Sequence, residues 1–343
     1  MKIVKLLLGV SVLLLGFVSC TGHEEGNVPD SARSVYYWKT VFKLDNAEMN
    51  FLKNRAVKKI YLRYFDVDYN EQGVPVPVGT LQFDSKIPQG IRVIPVVYIE
   101  NHCLEKAGGL AEKIVKRVQA MSKANDIEAD ELQLDCDWTL RSRSVYFDLL
   151  SHVRKLLNEE RNCRISATIR LHQLGQPAPP VDYGVLMCYN TGNLRDFQTE
   201  NSILDIKDVR PFVRRYLEKY PLPLCAAYPV FSWKLLFENG QFRAILRDVD
   251  LSDSSRYRKI SANRYIVLRS HSVPIPDPNS FGLMVRAGDE IKVDEVSART
   301  IREVQSVLEG KRPLIDRQVI LFSLNSINNN KFTPYEMDQI YSH

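Results

Sequence analysis

The stretch that decides the fold is Leu132-Gln133-Leu134-Asp135-Cys136-Asp137-Trp138, an apolar run that ends in two carboxylates and an aromatic ring. Side chains alternate along a β-strand, so Asp135 and Asp137 share one face, with their Cα atoms roughly 7 Å apart. An apolar strand that presents acidic groups at its carboxyl end is typical of parallel barrels, whose chemistry lies at that end. We therefore expect a barrel strand here, with Asp135 and Asp137 as candidate catalytic residues.

Short apolar runs alternate with helical patterns along the rest of the chain. Eight strands that alternate with helices predict an α/β fold, the (β/α)8 TIM barrel. The predicted strands are Val35–Trp38, Lys59–Phe65, Val93–Ile99, Leu132–Asp137, Arg164–Leu171, Val185–Tyr189, Leu222–Pro229 and Gln318–Leu324. The clearest helical periodicity covers Leu110–Met121, Val145–Leu157 and Val209–Lys219.

The interval between the seventh and eighth strands is far longer than one crossover helix requires. Phe237–Phe242 predicts a β-hairpin that turns at Asn239-Gly240, and Ala298–Leu308 has the pattern of the last helix. We therefore expect residues 235–312 to hold an insertion subdomain at the barrel mouth, followed by the last helix region. Surface loops are predicted for the proline-rich segments Val74–Val78, Gln176–Pro180 and Val273–Pro278.

The N-terminal segment has the pattern of an export signal. Lys2 and Lys5 precede the apolar run Leu6–Val18, which is too short to span a bilayer and is typical of a signal peptide. The stretch Gly16-Phe17-Val18-Ser19-Cys20 resembles a bacterial lipoprotein signal. That resemblance implies a signal peptide over residues 1–19, lipidation of Cys20, a linker over residues 20–33 and a barrel over residues 34–343. An uncleaved anchor is the alternative.

The residues after the cysteine bear on localisation. Thr21-Gly22-His23-Glu24-Glu25 resembles the short acidic signal of surface lipoproteins in Bacteroidota. It implies a protein that is lipid-anchored in the outer membrane and exposed at the cell surface or facing the periplasm. The membrane is then a partner through the anchor at Cys20.

Composition limits the remaining possibilities. The 343 residues are 45% hydrophobic, and the net charge of +5 falls by two when Lys2 and Lys5 leave with the signal peptide, so no nucleic-acid partner is indicated. The other five cysteines show no zinc spacing and no disulfide framework, so we expect buried thiols. They are Cys103, Cys136, Cys163, Cys188 and Cys225.

Three strand ends together resemble the family 18 glycoside hydrolases, the chitinase-like barrels. Asp135-Cys136-Asp137-Trp138-Thr139 is similar to the family's Asp-x-Asp-x-Glu pattern, Met187-Cys188-Tyr189-Asn190 to its Met-x-Tyr-Asp, and Phe322-Ser323-Leu324 to its Trp-Ser-Leu. The chain also resembles, more loosely, Bacteroidota lipoproteins with glycosidase-like barrels. The resemblance implies a barrel that acts on an oligosaccharide or polysaccharide.

The chain departs from the family at the catalytic acid, where Thr139 replaces glutamate. Family 18 enzymes protonate the glycosidic oxygen with that acid while the acetamido group of the substrate attacks the sugar carbon. A threonine hydroxyl cannot donate that proton, so the standard chitinase mechanism is not expected.

Another arrangement of carboxylates remains open. Two aspartates that face one cavity repel, which leaves one protonated acid beside one anion, with Asp137 as the acid and Asp135 as its neighbour, or the reverse. The nucleophile or base would then come from a distant carboxylate. The candidates are Glu100, Asp66 and Asp196. Alternatively, the two aspartates are simply paired with Arg170 or hydrogen-bonded to the backbone and have no catalytic role.

Other residues at the predicted strand ends are candidates for glycan binding. They are Trp38, Glu100, Arg170, His172, Tyr189, Asn190, Tyr228 and Trp233. Aromatic faces suit pyranose rings, but buried aromatics are also ordinary core residues. Arg170 and His172 share a face, where they either bind a polar substrate and tune the aspartates or serve the structure only.

A metal site is the weaker alternative at the same strand ends. Glu100, His102, Asp135 and Asp137 offer oxygen-rich ligands that suit Mg²⁺ or Ca²⁺. They match no metal-binding motif, so neither a metal nor another cofactor is predicted.

Two function classes therefore remain. The first is a lipoprotein glycosidase, and the second is an inactive barrel that binds a glycan or serves the cell envelope. A second carboxylate that faces Asp137 at roughly 5–10 Å would favour hydrolysis. An aromatic groove without one would favour binding.

Overall fold

Eight parallel strands close into a barrel in the computed structural model, which describes residues 31–160, 163–274, 282–325 and 331–342. The predicted signal peptide, Cys20 and most of the linker lie outside the described residues. The strands are β1 (Ala32–Tyr37), β2 (Val41–Phe42), β3 (Lys59–Tyr69), β4 (Pro75–Val78), β5 (Gln82–Phe83), β6 (Arg92–Ile99), β7 (Glu131–Cys136), β8 (Arg164–Arg170), β9 (Tyr183–Met187), β10 (Leu224–Pro229), β11 (Ser232–Glu238), β12 (Gln241–Leu246), β13 (Tyr257–Lys259), β14 (Arg264–Val267), β15 (His271–Val273), β16 (Leu283–Val285), β17 (Glu290–Glu295) and β18 (Gln318–Phe322). The helices are α1 (Asn46–Asn54), α2 (Leu110–Ala124), α3 (Arg143–Glu160), α4 (Ile206–Tyr216), α5 (Ala298–Glu309) and α6 (Pro334–Tyr341).

The barrel strands follow the order β1-β18-β10-β9-β8-β7-β6-β3, and pairing of β3 with β1 closes the ring. All eight strands overlap the predicted ones, so the (β/α)8 barrel is confirmed. Among the described residues, no helix is both long and apolar enough to cross a membrane.

Two of the crossovers lack the expected helix. Residues 70–91 and 171–182, all of them described, contain no α-helix. In the first of these segments β4 pairs antiparallel with the end of β3, so the prediction of a loop over Val74–Val78 is wrong. Proline lacks the N–H that a central strand needs, but the outer strand of a sheet tolerates it, which explains Pro75 and Pro77.

Alternation along the strands gives the barrel interior a polar layer. Tyr183 and Ser166 both donate hydrogen bonds to the buried Glu131 carboxylate, the latter over 2.8 Å. Tyr36 donates to Gln133 over 2.6 Å one layer higher. Buried polar groups are costly unless they are hydrogen-bonded, so these contacts stabilise the inward-facing side of β7. Asp135 lies on the same side of β7, two residues after Gln133.

An antiparallel subdomain is inserted between β10 and α5. Its five-stranded sheet has the order β12-β11-β17-β14-β13 and packs a small core of its own, which includes Leu236 and Ile291. The predicted hairpin is present, and Asn239 and Gly240 both adopt positive φ, as a two-residue hairpin turn requires. The sheet begins at Ser232, and helix α5 follows it.

A buried ion pair holds this subdomain against the loop between β9 and α4. Lys292 and Asp294 of β17 are fully buried and 3.2 Å apart. Lys292 donates to the carbonyl oxygen of Thr199 over 2.7 Å, and Asp294 accepts from the backbone N–H of Ser202 over 2.9 Å. The pair therefore fixes the position of the insertion beside the barrel mouth.

We predict that Asp294→Ala destabilises the protein by about 3–5 kcal/mol, because it leaves the Lys292 charge buried without its counter-ion. Urea unfolding followed by circular dichroism measures the change. Glu303→Ala is the control, since Glu303 pairs with Arg299 on the exposed face of α5. That variant should lose no more than about 0.5 kcal/mol. Equal losses in the two variants would contradict this role for Asp294.

Candidate functional site

Asp135 lies inside the upper part of the barrel, next to last in β7. Its side chain is buried, and Oδ1 accepts a 2.6 Å hydrogen bond from the hydroxyl of Thr168 on β8. Burial raises the pKa of Asp135, although the charge of Arg170 and the hydrogen bond from Thr168 oppose that shift. The carboxylate therefore depends on Arg170 to remain charged.

Arg170, the last residue of β8, joins the two aspartates. Its Nε donates to Oδ1 of Asp137, which is half exposed just after β7, and its Nη2 lies 4.0 Å from Oδ1 of Asp135. The guanidinium also lies over the ring of Tyr189, 5.8 Å from the ring centre. Burial opposes the charge of this group, but the neighbouring carboxylates prevail and raise its pKa, so Arg170 stays cationic.

This geometry is the one expected if Asp135 and Asp137 are ion-paired with Arg170. The charge of Arg170 opposes the repulsion from Asp137, which acts to raise the pKa of Asp135. It also opposes the binding of Mg²⁺ or Ca²⁺ to these carboxylates, because the guanidinium already supplies the positive charge. Thr139, at the position of the missing acid, is exposed, and its backbone N–H donates to Ser142 over 3.0 Å.

Two further predicted site residues lie at neighbouring strand ends. Glu100 directly follows β6, where burial raises its pKa despite the opposing charge of His102. His172 is exposed in the short 3-10 turn after β8; burial lowers its pKa, and the charge of Asp137 opposes that shift. Both side chains interact electrostatically with Asp137, so they belong to the same mouth.

Aromatic rings form one side of the mouth. Half-buried Trp38 lies 5.5 Å, centre to centre, from Phe322 at the end of β18. Phe322 stacks on Tyr189 at 4.7 Å and contacts Phe231 at 5.9 Å. The guanidinium of Arg63 lies 5.8 Å from the centre of the Trp38 ring. We call Trp38, Tyr189, Phe231 and Phe322 the aromatic wall.

Sequence reasoning missed some members of this site. No sequence pattern indicates Phe231 or Arg63 as site residues, and only the Phe322-Ser323-Leu324 motif points to Phe322. Arg63 is paired with Asp66, three residues further along β3, so Asp66 already has a cationic partner. A bulge between Arg63 and Phe65 breaks the alternation of side chains along β3. A pattern with a period of two therefore does not predict that Arg63 and Asp66 pair.

Tyr228 does not line the mouth, contrary to the prediction. It is fully buried and donates a 2.7 Å hydrogen bond to Asp316. Its neighbours in the strand, Ala227 and Cys225, face the barrel interior, so alternation turns Tyr228 outward to the helical layer.

The remaining predicted residues lie at the edge of the mouth or beyond it. Trp233 contacts Phe231 at 5.3 Å, and its indole N–H donates to Ser202 over 3.1 Å, which places it at the junction with the insertion. Asn190 is exposed, with a positive φ, directly after Tyr189. The exposed Asp196 accepts a hydrogen bond from the backbone N–H of Gln198 in its own loop. Its backbone forms an isolated β-bridge with Gln241 of the insertion.

The prediction that the five thiols are buried is confirmed. The cysteines Cys103, Cys136, Cys163, Cys188 and Cys225 form no disulfide with one another. Burial raises the pKa of the Cys136 thiol, the one nearest the β7 aspartates, so it is not a nucleophile at neutral pH.

Comparison with known proteins supports the fold. No protein-family model matches the sequence, and no curated protein does. Among solved structures, the spore cortex-lytic enzyme SleL of Bacillus megaterium QM B1551 has a TM-score of 0.52 at 11% identity, over 92% of this chain and 74% of that one. A GH18 chitinase from Cycas revoluta, in complex with (GlcNAc)4, has a TM-score of 0.52 at 13% identity, over 91% and 99%. A chitinase-like agglutinin from Robinia pseudoacacia has a TM-score of 0.54 at 10% identity, over 91% and 99%. The likeness shows a shared (β/α)8 barrel, and at these identities it shows the fold alone.

We predict that Arg170→Met destabilises the protein by about 3–5 kcal/mol at pH 7.5, because Asp135 is left buried without its counter-ion. Loss of the guanidinium raises the pKa of Asp135 further. A carboxyl whose pKa is higher in the folded state loses stability as the pH rises, so the deficit should shrink by up to about 1.4 kcal/mol per pH unit on acidification. Urea unfolding at pH 5 and pH 7.5 measures this, with the exposed Arg299→Met as control. A deficit independent of pH would mean that only packing was lost.

Proposed function

We propose that the barrel mouth binds an oligosaccharide and does not hydrolyse it. The proposal rests on Arg170, which holds Asp135 and Asp137 as an ion-paired unit. In that arrangement neither aspartate is a free acid, and Thr139 offers no replacement. The three groups instead present a fixed set of charged donors and acceptors, which suits recognition of sugar hydroxyl and amide groups.

The aromatic wall supplies the apolar part of such a site. Sugar rings have one largely apolar face, and a half-buried indole such as Trp38 offers a rigid surface for it. Polar groups of the ligand would then reach Asp137 and Arg170. A pocket that combines apolar contact with a few convergent polar groups is typical of small-ligand sites.

The solved structures with this fold suggest which ligand to test. The Cycas revoluta chitinase is described with (GlcNAc)4, and the Robinia pseudoacacia protein is described as an agglutinin. We therefore propose an N-acetylglucosamine oligosaccharide as the ligand class, with (GlcNAc)4 as the first probe.

Hydrolysis by Glu100 is the second candidate. Burial raises the pKa of Glu100, as a general acid requires, and its charge interacts with that of Asp137. In this scheme Glu100 would protonate the leaving group, and Asp137 would have to be released from Arg170. Binding fits the observed pairing better, because it leaves that ion pair intact.

We further propose that the protein is a lipoprotein of the outer membrane, anchored through Cys20. The support is the apolar run, the cysteine that closes it and the acidic pair after it. Metabolic labelling with a fatty-acid analogue should mark the wild-type chain and fail with Cys20→Ala. Equal labelling of the two chains would refute lipidation at this residue.

We predict that the full chain carrying Cys20→Ala binds (GlcNAc)4 saturably and releases no sugar. Adding Trp38→Ala should weaken binding by about tenfold, because stacking on an aromatic face contributes roughly 1 kcal/mol or more. Isothermal titration calorimetry measures affinity, and chromatography of the incubated sugar measures cleavage. Tyr335→Ala is the control, since that exposed ring lies on α6, where its hydroxyl accepts a hydrogen bond from Gln339.

Two outcomes would count against binding without hydrolysis. Sugar release that disappears in Glu100→Gln would establish the second candidate instead. If neither Trp38→Ala nor Tyr335→Ala changed the affinity for (GlcNAc)4, the mouth would not be the binding site.

A further inference from the structure

Three groups able to bind a metal meet beside the mouth, at the end of β3 and in the turn after β6. They are a carboxylate oxygen of Asp68, Nε2 of His102 and Sγ of Cys103, and all three atoms lie within 4.8 Å of one another. Asp68 and His102 are about half exposed and 2.7 Å apart, whereas Cys103 is fully buried. The cluster thus has a buried thiol on one side and water on the other.

The buried thiol distinguishes this cluster from an ordinary surface pair. His152 and Glu112 form a comparable pair, 3.3 Å apart and about equally exposed, but they are not part of such a three-ligand group among the described residues. Cys103 has only a weak interaction at present, a 3.6 Å contact from Sγ to the carbonyl oxygen of Val67. A thiol with so weak a partner is available for a stronger one.

The turn that carries two of the ligands is held in place. The hydroxyl of Tyr69 donates a 2.7 Å hydrogen bond to the carbonyl oxygen of His102, and the two rings are in contact. His102 and Cys103 are consecutive residues of the 3-10 turn Asn101–Lys106, which packs against the end of β3. Asp68 approaches from that strand, so the ligands come from two separate segments of the chain.

We propose that Asp68, His102 and Cys103 form a binding site for a divalent transition-metal ion such as Zn²⁺, with the fourth position open to water. Nitrogen, oxygen and sulfur ligands in one cluster are the donor set that zinc prefers, at about 2.0–2.3 Å from the ion. Ligand atoms around a tetrahedral ion are then roughly 3.5 Å apart, so binding requires side-chain movements of about 1 Å. Exposed Asp68 and His102 have the freedom to make them.

The binding step exchanges a proton for the metal. Burial raises the pKa of the Cys103 thiol to about 11, so the free protein carries the S–H form at neutral pH. On binding, the S–H bond breaks, the proton passes to the buffer, and the sulfur electron pair forms the bond to the metal. His102 binds through the lone pair of its neutral ring. The thiol therefore releases one proton for each ion that binds.

The site is independent of the proposed glycan binding, because it uses neither the aromatic wall nor Arg170. It would link the end of β3 to the turn that follows Glu100. A bound ion would therefore fix one edge of the mouth.

Titration of the full chain carrying Cys20→Ala with Co²⁺ tests the proposal. We expect one ion per chain, with the near-ultraviolet absorption of a cobalt–thiolate bond, and displacement by Zn²⁺. Adding His102→Ala should weaken binding at least tenfold, whereas the control His152→Ala should leave it unchanged. Cys103→Ala should remove the absorption band. Calorimetry in buffers of different ionisation enthalpy should show the released proton.

The readouts separate a metal site from adventitious binding. Cobalt binding without the thiolate band, or equal affinity in His102→Ala and His152→Ala, would overturn the proposal. Cys103 is a core residue, so thermal melting must confirm that its variant is folded. The exposed His102→Ala keeps the test decisive if Cys103→Ala fails to fold.

Discussion

The structure of the barrel mouth depends on Arg170. Closure of the parallel strands buries Asp135 where water cannot solvate its charge, so that charge needs a cation beside it. The guanidinium lies close to that carboxylate, pairs with Asp137 and rests on the ring of Tyr189. The hydroxyl of Thr168 donates a hydrogen bond to Asp135. A buried charge is tolerated only when it is paired, so these four positions are coupled to Arg170.

That coupling supports the proposal that this (β/α)8 barrel binds a sugar without hydrolysing it. A fold does not dictate a function, which depends on the groups that the strand ends present. Here Thr139 stands at the position of the acid, and the neighbouring aspartates are held by a cation. The aromatic wall around Trp38 and Phe322 remains, and a wall of this kind needs no titrating group to hold a sugar.

Local alternation was sufficient to predict the barrel strands and to place the β7 aspartates near Arg170, because a period of two fixes which side chains share a face. It left open whether Arg170 pairs with them, since that depends on how two strands align. Nearness to a strand end wrongly predicts that Tyr228 lines the mouth, because alternation with the inward-facing Ala227 turns it outward. The pairing of Lys292 and Asp294 with a distant loop is tertiary and leaves no local pattern.

Binding of a glycan that stays intact can be seen in a crystal structure of the protein soaked with (GlcNAc)4. We expect an uncleaved tetrasaccharide with one ring on Trp38, polar contacts to Asp137 and Arg170, and the ion pair between those two residues preserved. A shortened sugar in the mouth, with Asp137 turned away from Arg170 toward the sugar, would contradict that expectation.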